Sequence, residues 1–160
     1  MHTVEQNLSL LEPLALPHIR SEVTMSYQPA DADAIRQLLK QVQITGRYIV
    51  VHPSSRWFFK CWTDEKMAAV ITQLAADGYS IVLTSGPDQA ETEMAGRIQS
   101  LSHGEHIVSL AGKMTLPQLA ALIDQAELFI GVDSVPMHMA AALNTPYVAL
   151  FGPSKLTFWH

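Results

Sequence analysis

One cysteine, Cys61, excludes an intrachain disulfide and any metal site built from several thiolates, and it fits a reducing compartment. No apolar run reaches the roughly 18 residues that a membrane-spanning helix needs. The opening "MHTVEQNLSLLEPLALP" has no basic leader followed by a long apolar stretch, so it does not read as a secretory signal. Charge is sparse, with 16% charged residues, and cations are the scarcer sign: ten Lys and Arg stand against fifteen Asp and Glu, a formal charge of -5. A field of that sign repels nucleic acid and acidic membrane surfaces, which leaves at most a peripheral membrane association, and any anionic ligand must be caught locally. Several chemistries lack their signature: no GxGxxG follows a strand, and no GxxxxGK[ST], HExxH or GxSxG is present. Internal repeats and low-complexity tracts are also missing.

What remains is a chain of 160 residues, 48% hydrophobic, enough for one domain with a real core. From Asp31 onward helical and extended patterns alternate, which predicts an α/β fold with a parallel sheet and flanking helices. "DADAIRQLLKQVQI" places Ile35, Leu38, Leu39 and Val42 on one stripe, with Asp31 or Asp33 available as a cap. "YIVVHP" reads as a buried strand stopped by Pro53, and "TDEKMAAVITQLAADG" as a helix started by Thr63 and ended at Gly78. "YSIVLTSG" is a second strand, followed by a helix with Pro87 in its first turn. "HIVSLAG", "ELFIGVDS" and "TPYVALFGP" complete five strands, separated by the helices "TLPQLAALIDQA" and "VPMHMAAALN". Residues 1–30 have weak periodicity and read as a connector and domain entry, and residues 31–160 as the domain. The aromatics Phe151, Phe158 and Trp159 crowd its end, so the chain reads as a piece of a longer one.

Ligands of open parallel sheets bind beyond the carboxyl ends of the strands. Three such ends are unusual. "HPSSRWFFKCW" offers two hydroxyls, Ser54 and Ser55, the cations Arg56 and Lys60, and exposed amides, a set that suits phosphate oxygens. Its plainer reading is a solvated turn with locally packed aromatics. "GVDSVPMH" ends a strand at Val132, places Asp133 and Ser134 at a helix start whose amides favour an anion, and brings His138 one turn in. The plainer reading makes Asp133 or Ser134 only a helix cap, which for Ser134 taken alone is the better one, and His138 a partly buried core residue. "TSGPDQAE" carries Asp88, Glu91 and Glu93, able to accept from sugar hydroxyls or simply to complement the helix dipole. At a fourth junction, "AGKMTL", Met114 reads more readily as core filler than as a ligand contact. The triplet Asp31-Ala32-Asp33 is better explained by capping than by a metal.

Taken together, "HPSSRWFFKCW", "VLTSGPD", "AGKMTLPQLAALIDQAELFIGVDSVPMHMAAALNTPYVALFG" and the ending "FW" resemble the lipopolysaccharide heptosyltransferases of glycosyltransferase family 9, over nearly the whole chain. The resemblance implies the C-terminal, Rossmann-like, donor-binding domain of a GT-B glycosyltransferase, truncated at its own C-terminus and without the N-terminal acceptor domain. It implies an inverting transfer of heptose from ADP-L-glycero-D-manno-heptose to the lipopolysaccharide inner core, with no cofactor and no metal, at the cytoplasmic side of the inner membrane at most. Carried over by motif, Ser54, Ser55 and Lys60 hold the pyrophosphate, joined by the amides after Asp133, at Ser134 and Val135, and by His138. Asp133 faces heptose hydroxyls, Met114 borders the adenine, and an acidic residue after Gly86, Glu91 ahead of Asp88 or Glu93, takes the ribose. Val135 stands where many members have glycine or alanine. The family's general base is an aspartate of the N-terminal domain, so no catalytic residue is expected here and the chain alone should bind donor without transferring it. A non-catalytic nucleotide-binding or assembly module, and a GT-B enzyme using a UDP-sugar, are the alternatives.

Overall fold

The computed structural model describes residues 3–16 and 21–152. Phe158 and Trp159, read above as part of an abrupt ending, lie outside the described residues. A short helix α1 (Thr3–Ser9) and a 3-10 turn (Glu12–Leu14) occupy the segment whose weak periodicity suggested only a connector. Neither buries a side chain, which is why no apolar stripe announces them.

The remaining elements follow the expected alternation. They are α2 (Pro29–Gln41), β1 (Tyr48–His52), α3 (Asp64–Ala76), β2 (Ser80–Leu83), α4 (Gln89–Leu101), β3 (Ile107–Ser109), α5 (Leu116–Asp124), β4 (Leu128–Val132), α6 (Val135–Ala142) and β5 (Tyr147–Leu150). All four strand pairings are parallel, in the order β3-β2-β1-β4-β5. Alternation along the strands divides the core. Ile49, Val51, Ile81 and Leu83 point toward α3 and α4, packing on Met67, Ile71, Met94 and Ile98. Tyr48, Val50, Val82 and Phe129 point the other way, toward Ile35 of α2, Leu119 and Leu122 of α5, and Met137 of α6. β1 is buried at every position because it lies at the centre with helices on both faces.

The helix signals are local chemistry. Thr63 caps α3 by accepting from Lys66 N, and the helix stops before Gly78, whose φ is +93°. Thr115 and Gln118 form a reciprocal capping box on α5. Two expected caps shift. α2 begins two residues before Asp31, with Gln28 as N-cap; Asp31 accepts from Gln28 N from within the first turn, and Asp33 pairs with Arg36 instead of capping. α4 begins at Gln89 with Asp88 as its cap, accepting from Ala90 N, so Pro87 lies outside the helix; the carboxylate of Asp88 competes better for the leading amides. Among the described residues, no helix is long and apolar enough to cross a membrane.

Candidate functional site

The sheet's order sets where a ligand can sit. The chain passes from β1 outward through β2 to β3, then crosses back through α5 to β4 on β1's other side. Loops leaving β1 and β4 therefore diverge, and a crevice opens between their carboxyl ends. A cavity of about 410 Å³ lies there. Eight of the nine candidate residues line it: Ser54, Ser55, Lys60, Glu91, Asp133, Ser134, Val135 and His138. Met114 is not among its lining residues; its side chain is half-buried against the core below α5, and Leu116 and Leu119 of that helix form the neighbouring wall.

Two polar pairs tie the elements together across long sequence separations. Lys60 Nζ donates to Asp133 Oδ2 at 2.7 Å, joining the loop after β1 to the end of β4. The Asp133 side chain is only 4% exposed and that of Lys60 19%, so this is a nearly desolvated ion pair whose cation also faces the cavity. Ser54 Oγ donates to Glu91 Oε2 at 2.6 Å, and Gly86 N donates to the same oxygen at 3.2 Å, joining β1 to α4. A Cβ at Gly86 would meet the Glu91 carboxylate at about 3.0 Å, so glycine there lets that carboxylate lie over the turn. Ser55 accepts from Trp57 N and is buried, which shapes the loop into a tight turn before the 3-10 segment Phe58–Lys60. Gly152, just past β5, packs on that segment: its Cβ would sit 3.3 Å from Lys60 Cα and Phe59 O.

Ser134 occupies the cap position of α6 without making a side-chain cap; its hydroxyl donates to Val132 O at 3.3 Å, so the plain capping role is not what it performs. Val135, 61% exposed, stands at the cavity's mouth, and His138 follows one turn along. The loop aromatics Trp57, Phe58, Phe59 and Trp62 keep much of their surface in solvent; of these four Trp57 alone lines the cavity, and its ring meets Phe59 edge-on at 5.8 Å. The rest of the apolar lining, Leu116, Leu119, Val135 and Pro136, comes from α5 and α6. Charge at the cavity is balanced, Arg56 and Lys60 against Glu91 and Asp133, so a bound anion would depend on individual donors and not on a surplus of cations.

His52 was not read as a site residue, although it opens the loop that was. It is the last residue of β1, and alternation puts it on the face of Tyr48 and Val50, toward α5 and α6, where it forms part of the cavity wall. It is 3% exposed, and burial lowers its pKa to about 4, so the ring is neutral near pH 7. Its Nδ1 lies 2.9 Å from Thr84 Oγ1. The available signal was a histidine placed in phase with the apolar residues of a strand.

Comparison with known proteins agrees with this geometry. The family model described as glycosyltransferase family 9 (heptosyltransferase) matches residues 1–160. The chain is 46% identical over 158 residues to lipopolysaccharide heptosyltransferase 3 of Escherichia coli, an alignment covering 99% of this chain and 46% of that protein. A second such heptosyltransferase 3, from strain K12, is 42% identical over 158 residues. The chain thus spans under half the length of these relatives. Among solved structures, a family 9 glycosyl transferase from Veillonella parvula superposes with a TM-score of 0.88 at 25% identity, over 98% of this chain and 45% of that one. E. coli heptosyltransferase WaaC with ADP-2-deoxy-2-fluoro heptose gives 0.70 at 25% identity, over 97% and 46%. A parallel five-stranded sheet, a crevice at its switch point lined by the motif residues, and a family match along the entire chain lead to one conclusion: the chain belongs to glycosyltransferase family 9, the heptosyltransferases.

Proposed function

We propose that this chain is the donor-binding half of an inverting heptosyltransferase that uses ADP-L-glycero-D-manno-heptose and acts on the lipopolysaccharide inner core at the cytoplasmic side of the inner membrane. The observation that carries the reading is the convergence of Ser54, Ser55, Lys60, Asp133, Ser134, Val135 and His138 on one cavity at the switch point of the sheet. In this reading Lys60, the two serines, the leading amides of α6 and His138 hold the diphosphate, Asp133 meets heptose hydroxyls, Glu91 takes the ribose, and Met114 borders the adenine from beside α5.

The two polar pairs give this assignment a physical logic. A ribose hydroxyl donating to Glu91 competes with the hydroxyl of Ser54, which is then released to donate to phosphate. Heptose hydroxyls competing for Asp133 likewise leave Lys60 free to face the diphosphate. Ligand hydrogen bonds thus replace internal ones, and neither carboxylate is left bare. In the transfer, the acceptor hydroxyl oxygen attacks the anomeric carbon as the bond to the β-phosphate oxygen breaks, and ADP departs with the electron pair. Lys60 and the α6 amides would stabilise charge developing on that oxygen. The acceptor's proton passes to a carboxylate outside this chain, in the half that binds the acceptor.

Calorimetry with ADP-heptose, ADP and UDP tests the reading. ADP-heptose should bind more tightly than ADP, and ADP more tightly than UDP, with no heptose transfer by the chain alone. Preference for UDP, measurable transfer, or absence of nucleotide binding would each overturn it.

A further inference from the structure

Among the described residues, the cavity-lining His52 has a ring nitrogen with no hydrogen-bond partner. His52 is 3% exposed, and its Nδ1 is engaged with Thr84 Oγ1 at 2.9 Å. Among the described residues its second nitrogen, Nε2, makes no hydrogen bond. Buried polar atoms in native proteins are nearly always paired, so an orphan nitrogen on a residue that lines the cavity points to something that enters it.

The neighbouring bonds say which kind of group that is. Thr84 Oγ1 has one hydrogen and two contacts, His52 Nδ1 at 2.9 Å and Val51 O at 3.3 Å. Val51 O can only accept, so giving the threonine hydrogen to it satisfies both contacts, with Nδ1–H donating to Oγ1 and Oγ1–H to the carbonyl. Giving it to Nδ1 would instead set two acceptors against each other at 3.3 Å. The neutral ring therefore carries its proton on Nδ1 and presents a bare Nε2, which can accept but not donate. A phosphate oxygen, itself only an acceptor, is rejected at that position.

We propose that His52 Nε2 is a hydrogen-bond acceptor for an O–H or N–H donor on the neutral part of the bound nucleotide sugar, a sugar or ribose hydroxyl or the base's exocyclic amine. It thereby orients the ligand's uncharged end while the lysine, hydroxyls and amides hold its diphosphate. This rests on the donor-binding reading above. Burial keeps the ring neutral well below pH 7, so the acceptor persists across physiological pH.

Asn and Gln separate the two nitrogens: the amide nitrogen of Asn can overlay Nδ1 and keep the Thr84 bond, whereas Gln reaches the position of Nε2. Calorimetry on the 160-residue chain would compare wild type, His52→Asn and His52→Gln with ADP-heptose, ADP, 2′-deoxy-ADP, 3′-deoxy-ADP and inosine diphosphate. His52→Asn is expected to weaken ADP-heptose by about three- to tenfold, with His52→Gln recovering part of the loss. The analogue that lacks the relevant donor should bind wild type and His52→Asn alike, which identifies the source; loss confined to ADP-heptose assigns a heptose hydroxyl. Nitrogen NMR of the wild type should show Nδ1 protonated and Nε2 bare, with Nε2 shifting on ligand addition. Equal affinities for wild type and His52→Asn would overturn the proposal while leaving the donor reading intact. A protonated Nε2, or uptake of one proton on binding that His52→Asn abolishes, would also overturn it, assigning a phosphate contact instead. Failure of wild type to bind any of these nucleotides would remove both readings.

Discussion

At the scale of single residues, Lys60 has two jobs that substitution can separate. It faces the cavity, and it neutralises Asp133, whose carboxylate is almost fully buried. Lys60→Met removes the cation that faces this carboxylate and should lower stability by about 1.5–3 kcal/mol. Converting Asp133 to the neutral amide as well, in Lys60→Met/Asp133→Asn, should restore much of the melting temperature without restoring nucleotide affinity. Full recovery of ADP-heptose binding in the double variant would show that Lys60 serves the fold alone. His52 supplies a second residue-scale test, in pH. Its folded pKa, about 4, lies below the ordinary histidine value, so between the two the unfolded chain binds more protons. Its neutral form thus contributes stability that is present above about pH 6.5 and is lost as pH falls toward 4. Denaturant titrations over that window should show a steeper acid loss for wild type than for His52→Asn, and parallel curves would contradict the burial argument.

At the scale of elements, the cavity depends on where α4 and α5 begin. Thr115 and Gln118 fix the first turn of α5, and that turn delivers Leu116 and Leu119 to the cavity wall. Thr115→Ala should cost about 1 kcal/mol, read as a lowered denaturation midpoint, with Thr115→Gly costing less. Gly86→Ala is expected to act differently. The atoms nearest the added methyl belong to the flexible end of Glu91, so the melting point should change little while ADP affinity falls a few-fold as that carboxylate is displaced from Ser54. A large loss of stability in Gly86→Ala would show the turn to be rigid. These elements also mark what the sequence discloses. The five strands, the Thr63 and Thr115 caps and the loop after β1 are legible because each is set by neighbours in the chain. Asp88 as the cap of α4, α1 with no buried face, and the loop aromatics turned to solvent were not, because competition for amides and tertiary packing decide them. Ser54 with Glu91 and Lys60 with Asp133 are 37 and 73 residues apart, and only the parallel order of the strands makes them neighbours.

At the scale of the whole molecule, electrostatics and site chemistry pull apart. The chain's formal charge is -5, while the four charged residues at the cavity, Arg56, Lys60, Glu91 and Asp133, cancel. A diphosphate approaching from solvent therefore meets net repulsion at long range and attraction only once it touches oriented donors. Salt screens the first interaction strongly and the second weakly, since the Debye length shrinks from roughly 30 Å at 0.01 M to about 8 Å at 0.15 M. Stopped-flow measurement with a fluorescent ADP analogue should accordingly find an association rate that rises with ionic strength and a dissociation rate that hardly moves. In Lys60→Met the association rate should rise with salt in the same way, while dissociation becomes faster throughout, because the lysine acts within contact distance. An association rate that instead falls steeply with salt would mean that positive potential reaches out from the crevice, and capture would then begin with Arg56 and Lys60 acting as a long-range pair.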